Sequence, residues 1–297
     1  MSQAPNCSKL TVVQGVPNGI LGGPFQKTVS LGDGITGAVE QAGKRRIVVS
    51  SRTKESCDTL FDRFTCLEKL LMLFDGRFIP VESLSFTTVD DQTKSELEQY
   101  SEMLLQRRLA YYSSRDFCQY PWLKLVSFHD ALSDDVYSEW RELLDLLDMA
   151  YQVFLYSQSD DGMPVDVKSA FMVELAEPFI ELVKEKTVFF QTLEPGERST
   201  SLRMCIDAII TRFGTDVFYE ELRKDRYQSF LQKAVDSRVR IMHIKKKKAN
   251  CFDGKDSIRY IMKFSIMYRH ILLGLLGIPY GTYEIALKDA VRNIDTW

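Results

Sequence analysis

The chain has 297 residues, 45% apolar and 27% charged, a composition that fits a globular protein of one large or two ordinary domains. Its net charge of −3 provides no overall positive field, so any contact with nucleic acid has to come from a local basic patch. The six cysteines (Cys7, Cys57, Cys66, Cys118, Cys205 and Cys251) are scattered and form no C-x-x-C, which argues against a zinc site and fits a reduced, cytoplasmic protein.

The opening Met1-Ser2-Gln3-Ala4-Pro5 lacks the charged and apolar layout of a signal peptide. Glycine and β-branched residues then dominate as far as residue 52. Residues 10–13, 27–31 and 45–50 read as short strands between Gly, Pro and Asn turns. Gly32-Asp33-Gly34-Ile35-Thr36-Gly37 spells G-x-G-x-x-G, but only residues 38–42 follow before Gly43, too few for the helix of a dinucleotide-binding unit. A hairpin turn is the expectation there. Residues 53–74 carry Leu60, Phe61, Phe64, Leu67, Leu70, Leu71 and Phe74 at helical spacing, and Asp75-Gly76 stops the helix. A strand over 78–88, a helix over 93–108 and strands over 109–112 and 122–128 complete the first part.

From Ser133 the pattern turns to helix after helix. Ser133-Asp134-Asp135 is an N-cap followed by acid in the first turn of a helix to residue 156. Further helices are expected over 166–190 (kinked at Pro178), 201–213, 216–223, 226–243, 256–277 and 282–293. The apolar run 258–278 contains Arg259, Lys263, Arg269 and His270, so it reads as a buried helix, and no membrane partner is expected. The fold class expected is α+β: an N-terminal α+β domain over residues 1–132, followed by an all-α helical bundle over 133–297.

The chemistry concentrates near residue 240. Arg238 stands five residues before His243, one of only three histidines, and Lys245-Lys246-Lys247-Lys248 follows at once. A guanidinium can steady the charge on a transferring phosphate, and an imidazole moves a proton near neutral pH, so the two together can cleave RNA without a metal. Five residues at about 100° each put the two side chains about 140° apart on an ideal helix. They converge only near a frayed helix end or across a dimer.

This Arg-x4-His frame, with Phe171-Met172-Val173-Glu174-Leu175-Ala176-Glu177 before it and an apolar helix containing Arg269 after it, resembles the Apea-like HEPN domains of bacterial defence and toxin proteins. The resemblance covers residues 133–297. It implies a metal-independent endoribonuclease acting as a homodimer, with two motifs meeting in the cleft between protomers. Arg238 and His243 are then the catalytic residues. Arg240, Lys245, Lys246, Lys247 and Lys248 would hold the RNA backbone, the RNA being tRNA or phage transcripts. No cofactor and no metal are implied. Active members usually carry Asn, Asp or His after the arginine, and here the residue is Val239. The alternative is therefore a non-catalytic HEPN module that binds RNA, a nucleotide or a protein partner. Residues 1–132 are expected to sense a signal or bind a protein partner.

Simpler roles stand beside these. The four lysines also read as a solvated basic turn, Arg269 and His270 as packed and satisfied groups, and Glu174 and Glu177 as exposed helical acids. His129, beside Asp130 in an expected loop, suggests nothing further.

Overall fold

A computed structural model describes residues 4–15, 24–76, 79–88, 94–111, 123–158, 162–186, 201–223, 226–244 and 250–296. The chain forms an antiparallel five-stranded sheet followed by a helical region, an α+β organisation. It divides into two compact units, Met1–Glu142 and Leu143–Trp297.

In the first unit, β1 (Asn6–Gln14), β2 (Phe25–Gly32), β3 (Ile35–Ala42), β4 (Lys44–Ser56) and β5 (Val81–Thr87) lie in the order β2-β3-β4-β1-β5. The G-x-G-x-x-G is the β2–β3 hairpin: Gly32 pairs with Ile35, and Asp33 and Gly34 take φ of 52° and 75°. Positive φ at both central residues matches the twist of the flanking strands, and Asp-Gly supplies it. Gly37 has a different task. A Cβ there would stand 3.0 Å from Leu31 Cδ1 and 3.1 Å from Leu67 Cδ2, so its bare backbone admits the helix onto the sheet. β3 begins as early as Ile35 because Ile35, Gly37, Val39 and Gln41 alternate inward.

That helix is α1 (Cys57–Asp75), which starts later than the expected residue 53 because β4 runs on to Ser56. Ser56 Oγ accepts from the Thr59 N–H at 3.0 Å, and Gly76, in the left-handed region, donates to the Met72 carbonyl at 2.7 Å. Leu60, Phe64, Leu67, Leu71 and Phe74 of α1 share the core with Leu10, Val12, Leu31, Val39, Ile47 and Val49 of the sheet. Buried polar groups enter this core in mutual contact: Arg45 forks onto Asp75 at 2.5 and 3.3 Å and reaches Gln41 Oε1 at 3.3 Å, and Gln14 donates to Glu68 Oε1 at 2.8 Å.

α2 (Lys94–Tyr111) packs beside β5 and includes residues 109–111, expected as strand. Residues 123–127 form no strand either. The N–H groups of Leu125 and Val126 donate to the Phe74 carbonyl at 3.0 and 3.4 Å, closing the end of α1, and α3 (Phe128–Ala131) follows. α4 (Asp134–Gln158) bends at Asp148, where φ is 39°. In its first turns Trp140 is buried and donates to the Cys66 carbonyl at 3.0 Å.

The second unit holds α5 (Val165–Glu174), α6 (Ala176–Glu185), α7 (Leu202–Phe213), α8 (Tyr219–Leu222), α9 (Arg226–Met242), α10 (Lys255–Leu275) and α11 (Glu284–Thr296). The single kinked helix expected over 166–190 is two helices. Pro178 sits in the first turn of α6, and lacking an N–H it leaves the Glu174 carbonyl without a helical donor, so the break falls at Leu175. α10 is buried on nearly every side, from Met262 to Gly274. Its Tyr268 stacks on Phe179 at 4.2 Å and donates to the Met172 carbonyl at 2.7 Å. Among the described residues no helix is long and apolar enough to cross a membrane.

Candidate functional site

Of the sequence-derived site residues, Arg238 and Arg240 lie on the last turns of α9 and His243 follows directly after it. Phe230, Leu231, Ala234 and Ser237 form the buried stripe of this helix, at the spacing that seats one face on its neighbours. Ser237 Oγ donates to the Lys233 carbonyl at 2.7 Å and accepts from the Phe252 N–H at 2.6 Å, so the chain that follows is pinned back onto α9. Beside it Lys233 pairs with Asp256 at 2.6 Å and stands over the Phe252 ring.

Arg238, on the half-buried flank, grips Glu174 at the end of α5 with both arms of its fork. Nη2 donates to Oε1 at 2.8 Å, and Nε donates to Oε2. The hydrogen bonds that Arg238 donates to Glu174, with the charges of Glu174 and Glu177, raise the guanidinium pKa above its usual value. Glu174 is therefore partly buried and paired, where the sequence suggested an exposed acid. Its role escaped the sequence because it depends on α5 ending there. Arg240 stands 3.6 Å from Asp166, which also accepts from Ser257 Oγ at 2.7 Å.

His243 is the first residue beyond α9. Its backbone N–H donates to the Val239 carbonyl at 3.2 Å and its side chain is exposed. Among the described residues no hydrogen bond joins it to Arg238. The structure thus brings Arg238 to Glu174 and Arg240 to Asp166, and leaves His243 open to solvent on the terminal turn. Ile244, with φ of 50°, is 94% exposed. Lys245, Lys246, Lys247 and Lys248 lie outside the described residues.

The other two histidines have different settings. His129 is exposed beside Asp130 at 3.1 Å. His270 Nδ1 is 2.8 Å from the Tyr283 hydroxyl, and its ring lies edge-on to Tyr280 and Tyr283. Burial lowers the His270 pKa, with Asp216 pulling in the opposite direction. The buried charge in α10 is also matched. Lys263, with no exposure, binds both oxygens of Glu221 at 2.9 and 2.8 Å and lies 2.8 Å from Asp295, which Arg259 also contacts.

Three groupings could therefore carry chemistry: the exposed His243 with its arginines, the sequestered His270 with its tyrosines, and the Lys263 cluster. The first alone combines an exposed imidazole with cations that can reach a phosphate. Comparison of the chain with family models, with curated proteins and with solved structures finds no match.

Proposed function

We propose that this chain is a metal-independent endoribonuclease of the HEPN type, working in bacterial defence against phage or as a toxin, and acting as a homodimer. The observation that supports it is the exposed imidazole of His243 on the terminal turn of α9, with Arg238 and Arg240 on the same last turns and four lysines next in sequence. In this reading His243 takes the 2′-hydroxyl proton or delivers one to the leaving 5′-oxygen. Arg238 turns its fork from Glu174 to the transferring phosphate, a geometry lysine does not offer. Arg240 and the lysines hold the backbone with little regard to sequence. The separation of Arg238 and His243 is closed by the facing copy: each of the two sites in the shared cleft takes an arginine from one protomer and a histidine from the other.

A second reading rests on two features of the same turn. Glu174 occupies the Arg238 fork, and Val239 stands where a polar residue would help orient the site. Both suit a module that binds RNA or a protein partner without cutting. The test is to incubate the purified protein with tRNA and a long transcript in EDTA, beside Arg238→Ala and His243→Ala variants. The expected result is cleavage leaving 2′,3′-cyclic phosphate ends, with the rate down about 10²–10⁴-fold in the His243 variant, the usual worth of a general acid or base. Binding without cleavage by the wild type would establish the second reading. Equal cleavage by all three proteins would remove these residues from the mechanism.

A further inference from the structure

Another pair of reactive groups lies far from α9 in sequence, where β1 meets the start of α1. Asn6 pairs with Ser56 and Cys7 with Glu55, and the Cys57 N–H donates to the Pro5 carbonyl at 2.9 Å. Cys57, opposite Pro5, is thus the diagonal cross-strand neighbour of Cys7, and the two side chains share one face. Both are fully buried free thiols, and a side-chain hydrogen bond couples them. Diagonal cross-strand neighbours lie about 7–8 Å apart and a disulfide needs about 4.4–6.8 Å between Cα atoms, so the strand end has to move for the bond to close.

Access comes from the sheet's outline. β5 pairs with β1 only from Lys9 onward, and the register slips between Cys7 and Lys9. Among the described residues the start of β1 therefore pairs on one side only, and Asn6 is already exposed. Such an end opens locally without disturbing the sheet's centre.

We propose that Cys7 and Cys57 are a reversible dithiol–disulfide pair, closed by a low-molecular-weight disulfide of the glutathione class that enters at the open end of β1. The Cys7 thiolate attacks one sulfur of the external disulfide, forming a mixed disulfide and expelling one thiolate. Cys57 then gives up its proton and attacks Cys7 Sγ, expelling the second thiolate. The two thiolates take up the two protons released, so two protein thiols are oxidised and one external disulfide is reduced to two thiols. Cys7 lies on the strand end that opens and meets the external disulfide first, so it is the attacking group, and Cys57, at the start of α1, is the resolving one. The closed bond would tie the start of β1 to the first turn of α1 and withdraw the open end from exchange.

The test uses the full chain, reduced, freed of reductant and equilibrated with mixtures of reduced and oxidised glutathione. Acid quenching, alkylation of the remaining thiols and peptide mapping then identify the partners. The expected result is the loss of two thiols together, a Cys7–Cys57 cross-linked peptide, a higher Tm and full reversal by dithiothreitol. In Cys7→Ser the bond cannot form, and in Cys57→Ser the mixed disulfide should persist on Cys7. Since the wild type carries the decisive readout, the proposal does not depend on either variant folding. Cross-links to other cysteines, a wild type that stops at the mixed disulfide, or closure only in denaturant that unfolds the whole chain would each overturn it.

Discussion

At the scale of single residues, environment separates the three histidines more sharply than sequence does. His243 is exposed and close to cations, whereas His270 is partly buried against Tyr283 and held neutral. The second setting has a consequence for stability. The folded pKa of His270 lies below that of a free imidazole, so between the two values the unfolded chain binds more protons than the folded one. The His270 contribution is intact above about pH 6.5 and is lost as pH falls through the folded value. Thermal denaturation from pH 7 to pH 5 should therefore show a falling Tm, and His270→Gln, which keeps a partner for Tyr283, should flatten that slope. An unchanged slope would mean that His270 protonates alike in both states. Arg238 shows the same dependence on surroundings: its fork is formed and oriented, but in the free chain its partner is a carboxylate.

At the scale of elements, the legible parts are those where local chemistry agrees with packing. α1 could be read from its apolar spacing and Gly76, and α10 from its apolar run and the glycine at 277, because caps and core demand the same ends. The sequence alone did not separate α5 from α6, since Pro178 breaks the helix at Leu175, next to the Glu174 carbonyl it fails to satisfy four residues upstream. β3 was hidden by Gly37, whose bare backbone serves the close approach of Leu67 and mimics a loop. Residues 123–127 have strand-like composition and instead cap α1. In the candidate site Arg238 and His243 were visible as residue types, but Glu174 was not visible as a partner because it is set by a tertiary contact. Cys7 and Cys57 looked scattered because the sheet, not the sequence, brings them together. The Lys263 cluster binds α8, α10 and α11 with charges out of water. Removing Lys263 strands Glu221, while Arg259 still holds Asp295, so Lys263→Met should cost about 3–5 kcal/mol by chemical denaturation. A loss below about 1 kcal/mol would mean that water reaches the cluster, as in an exposed pair.

At the scale of the whole molecule, the sheet unit and the helical unit each enclose a core, and the proposed activity resides in the second. The Arg238–His243 separation makes assembly part of the account, because a homodimer places the same two residues on both sides of one cleft. The most direct measurement of the central claim is RNA cleavage in EDTA by Arg238→Ala and His243→Ala proteins, assayed singly and after mixing under conditions that exchange protomers. The account predicts that each variant alone is inactive. It predicts that the mixture regains about a quarter of wild-type activity, since half the dimers would be mixed and each would hold one intact Arg–His site of the two in its cleft. A mixture as inactive as its parts, with protomer exchange verified and wild-type cleavage intact, would contradict a site shared between two copies of this chain.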